Sequence, residues 1–244
     1  MTYPIGEAPP PNLRQPLRVE LFFLTHSETG EPLANTAALA VALAGAIIVD
    51  HLLRPLWRQG NDRQLQPHDR LRLFGTQVIV VNPDVSADPV ADWAVTALGG
   101  ARVRSVSERQ RSMPLREAIR VLAVDAYKRT TAGLYAGDLA REVTRRGLNR
   151  GRRYPPTDPG NIARTRGRLC SVLTGYTHPD PQTDALGGLI QALSLTSELY
   201  LDRPDLRDLL GYMTARVQEH DPAVHQILTA TDDLIAETAV AVYG

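Results

Sequence analysis

An unbroken apolar run at residues 37–49 constrains the fold of this chain more than any other part of the sequence. A helix formed by these residues has no polar face to present to water, so other elements must surround it. The run is about 13 residues long, whereas a membrane-spanning helix needs roughly 20 apolar residues. We therefore expect a buried core helix that is capped by Asn35 or Thr36 and ends near Trp57.

The rest of the chain predicts further helices. Aromatic residues make up only 5% of the sequence and hydrophobic residues 43%, and a composition rich in Ala and Leu favours close-packed helices over sheets. Helical patterns extend over about 89–98, 114–124, 133–146, 158–174, 181–200, 204–219 and 222–242. The predicted fold class is mainly α, with amphipathic helices around the central one.

One β-hairpin is predicted and a second is left open. Residues 71–74 and 77–81 flank Gly75 and Thr76, and the second run is β-branched and ends at Asn82-Pro83, a pattern typical of a hairpin. Residues 148–154 are short and basic, so they form either a stub of hairpin or a loop.

The chain is expected to form a single domain over residues 17–244, because no internal repeat or linker interrupts it. Residues 1–16 are rich in proline and are expected to be a flexible tail. The single cysteine, Cys170, cannot form an intramolecular disulfide, and no secretory leader opens the sequence, which together predict a cytoplasmic location.

Charge is balanced overall but unevenly distributed. The chain has 27 basic and 27 acidic residues, so no global field attracts it to nucleic acid or to an anionic bilayer. Residues 102–168 contain 17 Lys/Arg against 6 Asp/Glu, whereas residues 198–244 contain 3 against 9. A contact with an anionic partner is therefore expected through the middle of the chain.

No familiar catalytic or metal-binding motif is present. His220 and His225 are five residues apart and would point about 140° away from each other on a helix. Asp232, Asp233 and Glu237 lack a local basic or nucleophilic partner and fit a solvated helix face. We predict no catalytic residue, no metal and no cofactor, and an enzyme with an unrecognised site stays an alternative.

Several short segments, in a shared order and spacing, carry a resemblance to a known family. They include SETG at 27–30, DHLLR at 50–54, VVNP at 80–83 and DPVAD at 88–92. LAREVTRRG at 139–147, RYP at 153–155 with Asp158-Pro159, and PDPQT at 179–183 continue the series. Over residues 17–244 the chain resembles a bacterial-type member of the Golgi phosphoprotein 3-like family.

This resemblance implies a lipid-related function and also limits it. Eukaryotic members are adaptors that bind phosphatidylinositol 4-phosphate on Golgi membranes through a tryptophan and three arginines. The tryptophan position corresponds to Asn35, and the arginine positions correspond to Ala44, Gly133 and Ala136. None of the four keeps its side-chain chemistry, so no specificity for this lipid is expected.

The resemblance therefore predicts a non-enzymatic peripheral adaptor at the inner face of the membrane. Its partner would be an anionic membrane surface or a protein, and a homo-oligomer is left open. Lys128, Arg129, Arg152 and Arg153 are the candidate anion-binding or headgroup-binding residues. Nucleic-acid binding through the basic segment 129–153 is the alternative, disfavoured because its basic loop lacks an obvious apolar strand pair.

Overall fold

The computed structural model describes residues 14–57, 70–81, 85–99, 112–144, 152–178, 180–199, 205–206, 208–209 and 221–243. Within these residues the helices are α1 (Leu17–Leu24), α2 (Thr36–Trp57), α3 (Pro89–Gly99), α4 (Leu115–Ala136), α5 (Gly160–Leu173), α6 (Pro181–Ala192), α7 (Thr196–Leu199) and α8 (Pro222–Tyr243). The strands are β1 (Leu71–Phe74), β2 (Gln77–Val80), β3 (Ser112–Pro114), β4 (Val143–Thr144) and β5 (Arg152–Arg153). The mainly helical prediction is confirmed. The tail prediction for residues 1–16 lies almost entirely outside the described residues.

Helix α2 is the buried centre that its apolar run predicts. Leu43 is only 1% exposed, and the helix packs against α1, α4, α6 and α8. The Asn35 Oδ1 accepts a hydrogen bond from the Ala37 N–H at 2.8 Å and so caps the helix. The stretch Thr36–Leu53 is long and apolar enough to cross a membrane, but 72% of it is buried inside the fold. This burial is typical of a core helix.

Two glycines allow the helices around this core to approach closely. A Cβ atom added at Gly45 of α2 would overlap the side chain of Thr231 on α8. At Gly188 of α6 an added Cβ would lie 2.6 Å from Leu228 Cδ1, also on α8. Helix α8 therefore packs into two glycine-lined gaps, and its place in the core depends on these small residues.

The predicted hairpin at 71–81 is confirmed. Strands β1 and β2 are antiparallel, with Leu71 opposite Val80, and a two-residue turn joins them. Gly75 occupies the first turn position with φ +56°, a conformation that glycine adopts without steric cost. Strand β3, which the sequence did not indicate, pairs with β2 and leads directly into α4.

The helix predicted at 133–146 is correct only as far as Ala136 and is wrong from Gly137 to Thr144, and the open segment at 148–154 contains a strand. Helix α4 continues from the predicted 114–124 helix to Ala136, and the chain then turns at Asp138, which has φ +54°. The Arg141 N–H donates to Pro155 O at 2.9 Å, and strand β4 pairs with β5. These backbone hydrogen bonds replace the ones that a continued helix would have made.

The remaining helix predictions differ mainly at their ends. The segment at 181–200 divides into α6 and α7 because Ser194 adopts a positive φ of 56°. The predictions at 89–98, 158–174 and 222–242 are confirmed as α3, α5 and α8. Most of the predicted helix at 204–219 lies outside the described residues. Within this range the structure describes only 205–206 and 208–209, and these residues are helical.

The anionic tail neutralises part of the cationic middle. Arg116 of α4 donates to Asp233 of α8 at 2.6 Å and also pairs with Glu237. Arg120, one turn along α4, pairs with the same Glu237 at 2.9 Å. The charge asymmetry of the sequence therefore serves in part to join two helices of the fold.

Candidate functional site

A half-open cavity of about 420 Å³ lies where the start of α1, the start of α3 and the end of α4 meet. Most of its lining is apolar, and the residues that line it are Gln15, Pro16, Arg18, Val19, Ala87, Asp88, Pro89, Val90, Thr130, Gly133, Leu134, Ala136, Gly137 and Leu139. Its volume is in the range of small-molecule sites.

An arginine held between two carboxylates forms the polar side of the cavity. The Arg18 guanidinium donates to Asp50 Oδ2 at 2.8 Å and to Asp88 Oδ2 at 2.6 Å, and its side chain is only 6% exposed. Burial alone would lower the pKa of Arg18, but the charges of Asp50 and Asp88 outweigh burial and hold that pKa above its usual value. Arg18 is therefore charged and already paired.

The same carboxylates cap two helices. Asp50 Oδ1 accepts the Leu17 N–H at 2.6 Å at the start of α1, where Pro16 offers no side-chain cap. Asp88 Oδ1 accepts the N–H groups of Val90 and Ala91 at 3.1 and 3.2 Å at the start of α3. The two negative charges of Asp50 and Asp88 thus face the one positive charge of the guanidinium and two helix N-termini. Each of these N-termini is equivalent to roughly half a positive charge. The cluster is close to electrically balanced.

A second polar network joins α1 to α5 and α6. Arg168 of α5 binds both carboxylate oxygens of Glu20, and Gln182 Nε2 donates to Glu20 Oε2 at 2.8 Å. Burial raises the pKa of Glu20, an effect that Arg168 and Gln182 oppose. Asp180 caps α6 through the Thr183 N–H at 3.1 Å and pairs with Arg14 at 2.7 Å. These contacts fix the start of α1 against the core.

The short segments that carry the resemblance therefore have structural roles at these positions. Asp50, Asp88 and Asp180 are helix caps with long-range charge partners. Gly30 has φ +76°, and a Cβ added there would overlap the backbone of Tyr154 and Pro155. These four residues join elements that are distant in sequence.

Comparison with known families agrees with this architecture. The family profile of Golgi phosphoprotein 3 (GPP34) matches residues 17–234. The chain belongs to the Golgi phosphoprotein 3 family. A search of curated proteins finds no match to it. The match covers all the described elements up to the middle of α8, so the buried networks above belong to the family domain except for Arg14.

The four positions that the resemblance aligns with phosphoinositide-binding residues lie on or beside α2 and on α4, and two of them line this cavity. Gly133 and Ala136 line the cavity. Asn35 caps α2 at the protein surface, and Ala44 is fully buried inside the same helix. A Cβ added at Gly133 would lie 2.9 Å from Val90 Cγ2. None of the four residues carries a guanidinium.

The candidate anion-binding residues occupy two elements beside one cluster of aromatic residues. This aromatic cluster consists of Phe22, Phe23, Tyr127 and Tyr154. Lys128 and Arg129 follow Tyr127 on α4, while Arg152 and Arg153 precede Tyr154 after β5, and both tyrosines pack against the same buried group of residues. The Arg129 guanidinium lies 5.6 Å from the ring centroid of Trp93.

Ion pairs distinguish these cations. Arg152 contacts Glu142 at 3.4 Å and Arg153 pairs with Glu31. Lys128 and Arg141 are exposed and make no ion pair with any residue that the structure describes. Arg141, which the sequence prediction did not rank among the four, is therefore a better-exposed cation than Arg153.

A buried histidine completes the aromatic cluster. His26 Nδ1 donates to Phe22 O at 2.9 Å, so the neutral ring accepts the Tyr127 hydroxyl at Nε2, 3.0 Å away. The ring also stacks on Phe22 with centroids 3.8 Å apart. Burial lowers the pKa of His26 to about 4, and burial with Tyr154 nearby raises the pKa of Tyr127 to about 12. These groups are neutral at physiological pH and serve packing.

Sequence reasoning missed Arg18 and Thr130, the two buried polar residues of the cavity. The sequence does contain a signal for the two carboxylates that hold Arg18. Asp50 directly follows the apolar run, and Asp88 precedes a proline at a helix start. Among the residues that the structure describes, no group of three or more His, Cys, Asp or Glu side chains is placed to hold a metal ion.

Proposed function

We propose that this protein is a non-catalytic peripheral adaptor that contacts an anionic membrane surface through the end of α4 and the β4–β5 hairpin. The observation that carries the proposal is that Lys128, on α4, and Arg141, two residues before β4, are exposed and make no ion pair with any residue that the structure describes. Exposed basic residues near an anionic bilayer contribute about 1 kcal/mol each. Membership of the family supports a role in binding rather than in catalysis.

Exposed apolar side chains on the same elements support this orientation. Tyr135 at the end of α4 is 61% exposed and Val143 on β4 is 46% exposed. Apolar and aromatic side chains beside cations favour the boundary between headgroups and acyl chains. By contrast, Arg116 and Arg120, nearer the start of α4, are occupied by carboxylates of α8.

A vesicle flotation assay with single charge reversals tests the proposal. Lys128→Glu and Arg141→Glu should each lower binding to phosphatidylserine-containing vesicles by at least about tenfold, because each reversal replaces an attraction by a repulsion. Arg72→Glu is the matched control, since it makes the same charge change on β1, in the sheet that precedes α4. It should bind as the parent does.

The remaining arms of the assay identify the competing functions. Equal binding to neutral phosphatidylcholine vesicles, or equal loss of binding in all three variants, would refute the proposed surface. A duplex-DNA titration that saturates at lower protein concentration than the vesicles would favour the nucleic-acid alternative. Higher salt should release the parent protein, because exposed charges are screened over about 8 Å at physiological ionic strength.

A further inference from the structure

We propose that two copies of this chain associate through the outer sides of α4 and α8, about a twofold axis that runs parallel to these helices. This inference goes beyond the membrane-surface function and does not rest on it. Its evidence is the register of the ion pairs between the two helices and the exposure of two valines beside them. We call this surface the α4–α8 face, and its central residues are Arg116, Arg120, Val124, Asp233, Glu237 and Val240.

The ion pairs show that α4 and α8 run side by side in the same direction. Arg116 of α4 pairs with Asp233 of α8. Arg120, one turn later on α4, pairs with Glu237, which lies one turn later on α8. Equal steps along both helices mean that the two helices are close to parallel over this stretch and are in register.

The next turn of each helix carries an exposed valine. Val124 lies four residues after Arg120 and is 83% exposed, and Val240 lies three residues after Glu237 and is 73% exposed. The register of the ion pairs places these two valines at the same height, next to each other. Both helices pack on α2 with their opposite sides, so the valines form an apolar spot on the outside of the fold.

The α4–α8 face is complementary to itself. A half-turn about an axis parallel to the helices places α4 of one copy over α8 of the second copy and leaves every height along the axis unchanged. Each arginine of α4 then meets the carboxylate that lies at its own height on the second copy, and Val124 meets Val240. Positive and negative charges alternate around each layer, and such networks contribute more than isolated surface pairs.

A second copy fits this face better than a partner of one charge does. An anionic bilayer or an acidic protein would face the carboxylates of Asp233 and Glu237, and a basic partner would face the guanidinium groups of Arg116 and Arg120. Like charges across an interface suppress association. A second copy carries both charges at the required heights.

The association should be weak and reversible. The face extends over about three turns of two helices, which is smaller than the roughly 1,200 Å² that a standard interface buries. The parallel axis also directs the Lys128 end of α4 the same way in both copies. A dimer would therefore present two membrane surfaces on one side, which raises their combined affinity.

Disulfide cross-linking of mixed variants tests the geometry, in full chains that carry Cys170→Ser. Val124→Cys chains mixed with Val240→Cys chains should give a disulfide-linked dimer on mild oxidation, because the two positions face each other across the axis. Each variant alone should cross-link at least about tenfold less. Identical positions lie diagonally across the axis at roughly 11 Å for packed helices, beyond the Cα separation of about 7 Å that a disulfide can bridge.

A mixture of Val124→Cys and Tyr176→Cys chains is the matched control, since Tyr176 is 79% exposed but follows α5. This mixture should stay without cross-links. Equal cross-linking in the control, or in either valine variant alone, would overturn the twofold arrangement. Absence of the linked dimer in the mixture of the two valine variants would overturn the interface.

Sedimentation velocity over a series of concentrations tests the charge pairing. Arg116→Glu should raise the dissociation constant of the dimer at least about tenfold, because the new carboxylate would face Asp233 of the second copy. An equimolar mixture of Arg116→Glu and Asp233→Arg chains should recover the dimer, since opposite charges then meet across the axis.

Arg72→Glu makes the same charge change on β1 and should leave the dissociation constant unchanged. An unchanged constant in Arg116→Glu, or no recovery in the mixture, would overturn the pairing across the axis. Vesicle flotation of the Lys128 and Arg141 variants reads a different surface, so loss of either proposal would leave the other standing.

Discussion

Removal of the Arg18 guanidinium should destabilise the fold by about 3–5 kcal/mol, because a buried carboxylate then loses its charge partner. Asp50 is 0% exposed, and its oxygens receive Arg18 Nη1 at 2.8 Å and the Leu17 N–H at 2.6 Å. Arg18→Met keeps the apolar stem and removes the charge. The backbone N–H groups of Leu17 and Arg18 still donate to Asp50, but neutral donors do not replace the guanidinium charge beside a buried carboxylate.

Urea denaturation of the parent and variants measures this loss as a shift of the unfolding free energy. The surface control is Arg120→Met. The Arg120 side chain is 56% exposed and pairs with Glu237, so its removal should cost less than about 1 kcal/mol. In Arg18→Met/Asp50→Asn the amide still accepts the Leu17 N–H, and the double variant should lose less than the sum of the two single changes. Equal costs for Arg18→Met and Arg120→Met would refute the reasoning.

Three further predictions concern stability. Gly30→Ala should cost more than Gly175→Ala by about 1–3 kcal/mol of unfolding free energy, because both residues have φ +76° but only Gly30 faces backbone atoms; equal costs would contradict the close contact. The pKa of His26 falls from 6.5 to about 4 on folding, so the folded state favours the neutral ring. The contribution of His26 to the free energy of unfolding is therefore complete above pH 6.5 and is lost toward pH 4 at up to about 1.4 kcal/mol per pH unit. The pH dependence of urea unfolding should be shallower over this range in His26→Gln than in the parent, and an identical slope would refute the assignment. Leu43→Asp places a charge at a 1% exposed position of α2 and should prevent cooperative folding; a melting temperature near that of the parent would exclude α2 as the core.

Local patterns predicted the features of the fold that depend on neighbouring residues. The apolar run at 37–49 identified the central helix, Asn35 was correctly named as a candidate cap, and Gly75 marked the first hairpin. Each of these depends on side-chain periodicity or on one turn conformation, and both are readable from a short stretch of sequence.

The features that sequence reasoning missed depend on distant partners. Residues 133–146 have a helical pattern, but the chain from Leu139 onward pairs with the segment that ends at Thr157. Arg18 meets Asp50 and Asp88 across 32 and 70 residues of sequence. The cavity arises where three helix ends converge, and a single sequence gives no signal for such convergence.

The most direct measurement is flotation of the parent protein with two vesicle populations matched in surface charge, one containing phosphatidylinositol 4-phosphate and the other phosphatidylserine. The positions that the resemblance aligns with the phosphoinositide-binding residues, Asn35, Ala44, Gly133 and Ala136, offer no guanidinium to a phosphate. The account predicts equal binding to both populations and equal release as salt rises. Retention on phosphatidylinositol 4-phosphate at physiological salt, with release from phosphatidylserine, would contradict it.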